Sequence, residues 1–80
     1  MSEFGLVTVG NNLKKIRLQL GLTITDLSRR ANVSTKVISQ TERFLVDPTP
    51  VTKNKIVIGL NADILPFGSG WTFKDIFPSG

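Results

Sequence analysis

Four side chains in the middle of the chain recur at helical spacing: Lys36, Ser39, Gln40 and Arg43, at i, i+3, i+4 and i+7. At about 100° per residue they share one face, while Ile38, Thr41 and Leu45 point the opposite way. The polar face consists almost wholly of hydrogen-bond donors and acceptors, two of them cationic. Its chemistry is recognition of a patterned array of polar edges rather than bond making. The chain has no histidine and no cysteine. That removes imidazole acid–base catalysis, thiol nucleophiles and zinc sites built on those ligands. No nucleophile-plus-base spacing stands out, and Gly68-Ser69-Gly70 does not follow the strand–helix pattern of a phosphate loop. The expectation is a protein that is not an enzyme and needs no cofactor or metal.

Charge points to an acidic partner. The net charge is +4 and the sequence pI is about 10.0. Residues 14–55 hold nine cations against Asp26, Glu42 and Asp47, a net of +6, whereas the flanking Glu3, Asp63, Lys74 and Asp75 sum to −2. A basic middle suits a polyanion, although a merely solvated face has the same look. Eighty residues make one small domain, so nearly every apolar residue is needed in its core. No apolar run approaches the roughly 18 residues of a membrane span. The N-terminus does not read as a signal peptide, and a chain without cysteine fits a reducing cytoplasm.

The elements that must carry the polar face follow from apolar spacing and caps. Leu13, Ile16, Arg17 and Leu20 form one stripe over residues 12–20, ended by Gly21. Arg17 on that stripe requires an acidic partner. Leu18 points away from it. A second helix spans residues 24–31, with Thr23 as N-cap, Asp26 at N3 and Asn32 at the left-handed stop. Its inner stripe is Ile24, Leu27, Ser28 and Ala31. A third starts after the cap Ser34 and ends near Phe44. Thr49-Pro50 opens a fourth over residues 51–60, where KIVIGL also permits a strand. Thr72 and Asp75 frame a last turn over residues 72–77.

The stretch from 21 to 43, GLTITDLSRRANVSTKVISQTER, thus places two short helices about a tight turn. The second presents the polar face at a size that fits the DNA major groove. Here the chain resembles the Cro/repressor-type (Xre-like) family of bacterial and phage regulators. LKKIRLQLGLT (13–23), DLSRRANVS (26–34) and ISQTERF (38–44) carry the resemblance, extended by Pro48 and KIVIGLN (55–61). It covers about residues 10–62. It implies an all-α, compact, lambda-repressor-like DNA-binding domain of four to five helices. FKDIF (73–77) resembles the short closing helix of that fold. The expected organisation is an N-terminal arm (1–10), a helix-turn-helix domain (11–62) and a C-terminal extension (63–80).

The resemblance also implies roles. Thr35, Lys36, Val37, Ser39 and Gln40 match positions that read bases. Gln40 suits adenine N6 and N7, Lys36 suits guanine O6 and N7, and Val37 suits a thymine methyl. Lys14, Thr23, Ser34 and Arg43 match or neighbour phosphate-contacting positions. Arg17 and Glu42 match a structural ion pair between the first and third helices. Lys53 and Lys55 lie where family members sometimes reach the DNA backbone. Departures from the family pattern are Ile24 for a polar Gln, Thr41 for a large aliphatic, Lys53 for an apolar residue and Phe44 for a frequent glycine. The expected consequences are a lost DNA contact, weaker packing of the third and fourth helices, and a different turn after the third.

Phe67, Trp71, Phe73 and Phe77 crowd the tail. Either they complete the core or they form a dimer interface. Two functions are therefore expected to compete. One is a sequence-specific regulator of transcription, a repressor acting as a homodimer on a palindromic double-stranded operator in the cytoplasm. The other is a protein-interaction module, such as an antitoxin or anti-repressor, with weak DNA binding.

Overall fold

The computed structural model describes residues 10–62 and 70–79. Five helices follow one another: α1 (Leu13–Gln19), α2 (Ile24–Ala31), α3 (Thr35–Glu42), α4 (Pro50–Leu60) and α5 (Phe73–Ile76). No strand occurs among the described residues, so the fold is all-α as the family resemblance implies. The expected arm, apart from Gly10, and Phe67 of the tail lie outside the described residues.

Local polar chemistry sets where the helices begin. Thr23 Oγ1 accepts the Asp26 N–H at 3.0 Å, and Asp26 accepts the Thr23 N–H at 3.0 Å. Thr72 and Asp75 repeat this reciprocal box at 3.1 and 2.8 Å. Ser34 caps α3 through Val37 N–H at 3.1 Å, and Thr49 caps α4 through Thr52 N–H at 3.3 Å. Pro50 takes the first turn of α4, where a missing N–H costs nothing. Residues 55–60, which could have formed a strand, continue this helix. In α1 the acceptor comes one residue early: Asn11 Oδ1 takes the Leu13 N–H at 3.0 Å.

Left-handed residues set where the first three stop. Gly21 (φ 71°) closes α1, with Leu22 N–H on Arg17 C=O and Gly21 N–H on Leu18 C=O. Asn32 (φ 55°) closes α2. The same double bond pattern closes α3, but on Phe44 (φ 62°): Leu45 N–H reaches Gln40 C=O at 2.9 Å and Phe44 N–H reaches Thr41 C=O at 3.1 Å. This corrects three expectations. The third helix ends at Glu42 rather than near Phe44. The turn keeps a glycine-like conformation although no glycine is there. Leu45, expected on the inner face, lies past the stop and is 54% exposed.

Leu13 and Ile16, Leu27 and Ala31, Ile38, Ile56 and Leu60, and Ile76 and Phe77 form one core to which every helix contributes. The largest helix–helix contact joins α2 and α4. It requires Gly59: a Cβ there would lie 2.8 Å from Ala31 Cβ and 2.9 Å from the Ala31 backbone. Two departures expected to weaken the packing are instead accommodated within it. Thr41 is fully buried and donates its hydroxyl to Val37 C=O at 2.7 Å. Lys53 is buried along its stem, pairs with Asp47 at 2.8 Å and lies 5.3 Å from the Phe77 ring centroid.

The C-terminal segment is bound on two sides. The Asn61 amide bridges both backbone groups of Trp71, at 2.8 and 2.7 Å. Asn12 donates its side chain to Asp75 C=O at 2.8 Å and its N–H to Ile76 C=O at 2.9 Å. Phe77 is buried, with Trp71 and Phe73 packed partly against the core. Among the described residues no helix is long and apolar enough to cross a membrane.

Candidate nucleic-acid interface

The α2–α3 turn is built from backbone groups held by one serine. Asn32 in the left-handed region reverses the chain, and Val33 N–H reaches Ser28 C=O at 3.2 Å. Ser28 Oγ donates to Val33 C=O at 2.6 Å. Both polar groups of Val33 therefore bond to Ser28, which fixes how α3 leaves α2. Ser28 is more than a small residue on an inner stripe.

Helix α3 divides as its spacing predicts. Ile38 and Thr41 are fully buried and Glu42 nearly so. Thr35, Lys36 and Arg43 are exposed, while Val37, Ser39 and Gln40 are half-buried. The five residues matched to base reading thus lie together on one short helix, open to solvent in whole or part. The cap Ser34 is exposed beside them. Its oxygen accepts the Val37 N–H, which leaves the hydroxyl proton to donate outward. Thr23 is likewise exposed at the start of α2 and accepts the Asp26 N–H, and Lys14 is exposed on α1.

Two attachments hold α3 against α1. Arg17 Nε and Nη2 bond Glu42 Oε2 and Oε1 at 2.6 and 3.0 Å, and Arg17 Nη1 donates to Leu22 C=O at 2.7 Å. Both side chains are buried, at 8% and 4% exposure. The hydrogen bond to Glu42 raises the Arg17 pKa above its ordinary value, against the opposing effect of burial. The second attachment is Asn11, whose Nδ2 donates to Thr41 C=O at 2.9 Å. Sequence reasoning missed Asn11. Its only signal was a polar Asn-Asn doublet ahead of the first apolar residue.

Other cations are placed differently from one another. Lys53 turns inward to Asp47, so it does not face a DNA backbone as the resemblance allowed; Lys55 is exposed. Arg29 forms an exposed pair with Asp26 at 3.3 Å. Hydrogen bonds from the Thr23 backbone and hydroxyl, assisted by Arg29 and weakly opposed by burial, hold the Asp26 carboxyl below its ordinary pKa. Ile24, where the family pattern has Gln, is half-buried against the core.

A family model described as helix-turn-helix, of the Cro/repressor type, matches residues 13–52, half of the chain. No curated protein and no solved structure matches the chain significantly. The matched span contains the Arg17–Glu42 pair, the α2–α3 turn and the whole polar face of α3.

Proposed function

The chain belongs to the Cro/repressor-type helix-turn-helix family, and on that premise we propose that it is a sequence-specific, double-stranded DNA-binding regulator of transcription. The family is one of DNA-binding regulators rather than enzymes. The observation that carries the reading is the outer face of α3. Thr35, Lys36, Val37, Ser39 and Gln40 are open to a partner, while Ile38, Thr41 and Glu42 anchor the helix from behind.

In this reading α3 lies in the major groove. Gln40 accepts from and donates to adenine, and Lys36 donates to guanine. Val37 meets a thymine methyl, and Thr35 and Ser39 complete the contact. Lys14, Thr23, Ser34 and Arg43 hold phosphates and set the register without reading sequence. A homodimer places two such helices roughly 34 Å apart on a palindromic operator. Occlusion of a promoter is the simplest mechanism, which makes the protein a repressor acting in the cytoplasm.

The experiment is selection of bound sequences from random DNA by the full chain. The reading expects one short motif with inverted repeats, and binding that weakens steeply with salt as counterions are released. Recovery of no motif at any salt concentration overturns it.

A second reading has its own support. Ile24 gives up a polar contact to DNA, and Val51 and Ile58 stand 66% and 68% exposed, one behind the other, on α4. These features favour a protein-interaction module such as an antitoxin or anti-repressor. Copurification of a stoichiometric protein partner, together with absent DNA binding, selects it.

A further inference from the structure

We infer that Asn11 is a positioning residue of the DNA-reading helix: its amide fixes the orientation of α3 against α1, and through it the aim of Lys36 and Gln40. The inference rests on the DNA-reading role proposed above. It begins from one side chain with two partners. Asn11 Oδ1 accepts the Leu13 N–H at 3.0 Å, and Nδ2 donates to Thr41 C=O at 2.9 Å, 30 residues along the chain. One partner is a donor and the other an acceptor, so the side chain must offer an acceptor and a donor on separate atoms far enough apart to span both, as a carboxamide does. A carboxylate or hydroxyl of shorter reach keeps the cap on α1 and loses the bond to α3.

The place of that bond gives it leverage. Thr41 C=O belongs to the last turn of α3, where it already accepts the Phe44 N–H at 3.1 Å, and the Asn11 amide takes its second lone pair. Thr41 is flanked by Gln40, matched to base reading, and by Glu42, held by Arg17. The Ser28–Val33 bonds and the buried Ile38 hold α3 from one side, and the Arg17–Glu42 pair ties its end to the C-terminal half of α1. Asn11, at the other end of α1, supplies a second polar tie between α1 and α3, beside Gln40. Bidentate base contacts tolerate errors of only about 0.5 Å or 10–20°. Lysine and arginine contacts to phosphate tolerate more, because long flexible stems follow the backbone. Loss of the Asn11 bond therefore lowers specificity more than general DNA affinity.

The test uses the full chain and the DNA motif that the wild type selects. Asn11→Ser and Asn11→Asp retain an acceptor for the Leu13 N–H, whereas Asn11→Ala does not. Affinities for motif and random DNA, their salt slopes and the melting temperature are measured for each. The inference expects the Ser variant to melt within a few degrees of wild type and to hold random DNA with unchanged affinity and salt slope. Its motif-to-random ratio falls about tenfold, the size of one spoiled base contact. The Asp variant shows the same fall in ratio, with both affinities lowered by its added negative charge. The Ala variant melts lower and, well below its melting point, shows the same ratio as the Ser variant. A Ser variant with the wild-type ratio overturns the inference while leaving the DNA role intact. So does a Ser variant whose motif and random affinities fall equally. A wild-type chain that prefers no sequence overturns the DNA role, and the inference falls with it.

Discussion

Arg17 and Glu42 meet through two parallel bonds of 2.6 and 3.0 Å, buried between α1 and the last turn of α3. Removing one partner strands the other's charge away from water. Glu42→Ala is expected to cost about 3–5 kcal/mol. A domain of this size has roughly 4–12 kcal/mol in total, at about 0.05–0.15 per residue. Urea unfolding should place the variant near the limit of folding. The double change Arg17→Met with Glu42→Leu should be more stable than Glu42→Ala alone, since no buried charge remains. A double variant less stable than the single one contradicts the assignment.

Phe44 sits at φ 62° where α3 ends, a conformation that glycine adopts without strain. For a residue with a Cβ the left-handed region costs about 1–2 kcal/mol. The ring is 46% exposed, so its loss removes only part of a side chain's burial. Phe44→Gly is expected to raise unfolding stability by roughly 0.5–1 kcal/mol after the glycine's extra chain entropy is counted. Urea titration reads the sign directly; a loss of stability means that the ring's packing outweighs the backbone strain.

Gly59 admits no side chain because Ala31 lies directly against it. Alanine is the better helix former by about 1 kcal/mol. Gly59→Ala should nevertheless destabilise, by about 1–3 kcal/mol, because α2 and α4 must move apart. Ala31→Gly in the same chain should restore only part of this, since the clash includes Ala31 backbone atoms at 2.9 Å. Thermal melts of the single and double variants check both statements. Neutrality of the single change is the contrary result.

The caps were legible because they are local. Thr23 with Asp26 and Thr72 with Asp75 stand three residues apart, and the chemistry of those pairs fixes helix starts whatever surrounds them. Arg17 was legible as a problem, since a guanidinium on an apolar stripe demands an acid. That Glu42 answers it came from resemblance alone. Lys53, Thr41 and Asn11 were not legible, because their partners lie in other elements or are backbone groups. Phe44 was misread for another reason: glycine is the usual residue at a left-handed stop, so its replacement pointed to a different turn, whereas the backbone bonds to Gln40 and Thr41 keep that stop with a phenylalanine in it. The polar face of α3 was visible in its spacing, but its assignment to base reading depended on the family pattern.

Asp26 makes the start of α2 sensitive to acid. The Thr23 bonds hold its carboxyl below the ordinary 3.8 in the folded chain. A depressed folded pKa contributes stability above the unfolded value, and that stability is lost as pH falls through the folded one. The melting-temperature gap between wild type and Asp26→Asn should therefore be constant from pH 7 down to about 5 and narrow as pH falls through 3.8 towards the lower folded value. A gap that persists at lower pH contradicts the capping role of the charge.

The aim of α3 is tested most directly by Gln40→Ala. Gln40 lies on the open face, half-buried and outside the buried set that anchors the helix, so the variant should fold as the wild type does. The measurement is the ratio of affinities for the selected motif and for random DNA, wild type against variant, at one salt concentration. The expected result is a loss of about 1–3 kcal/mol on the motif, a relaxed preference at a single base position and unchanged binding to random DNA. An unchanged ratio would mean that this face does not read bases.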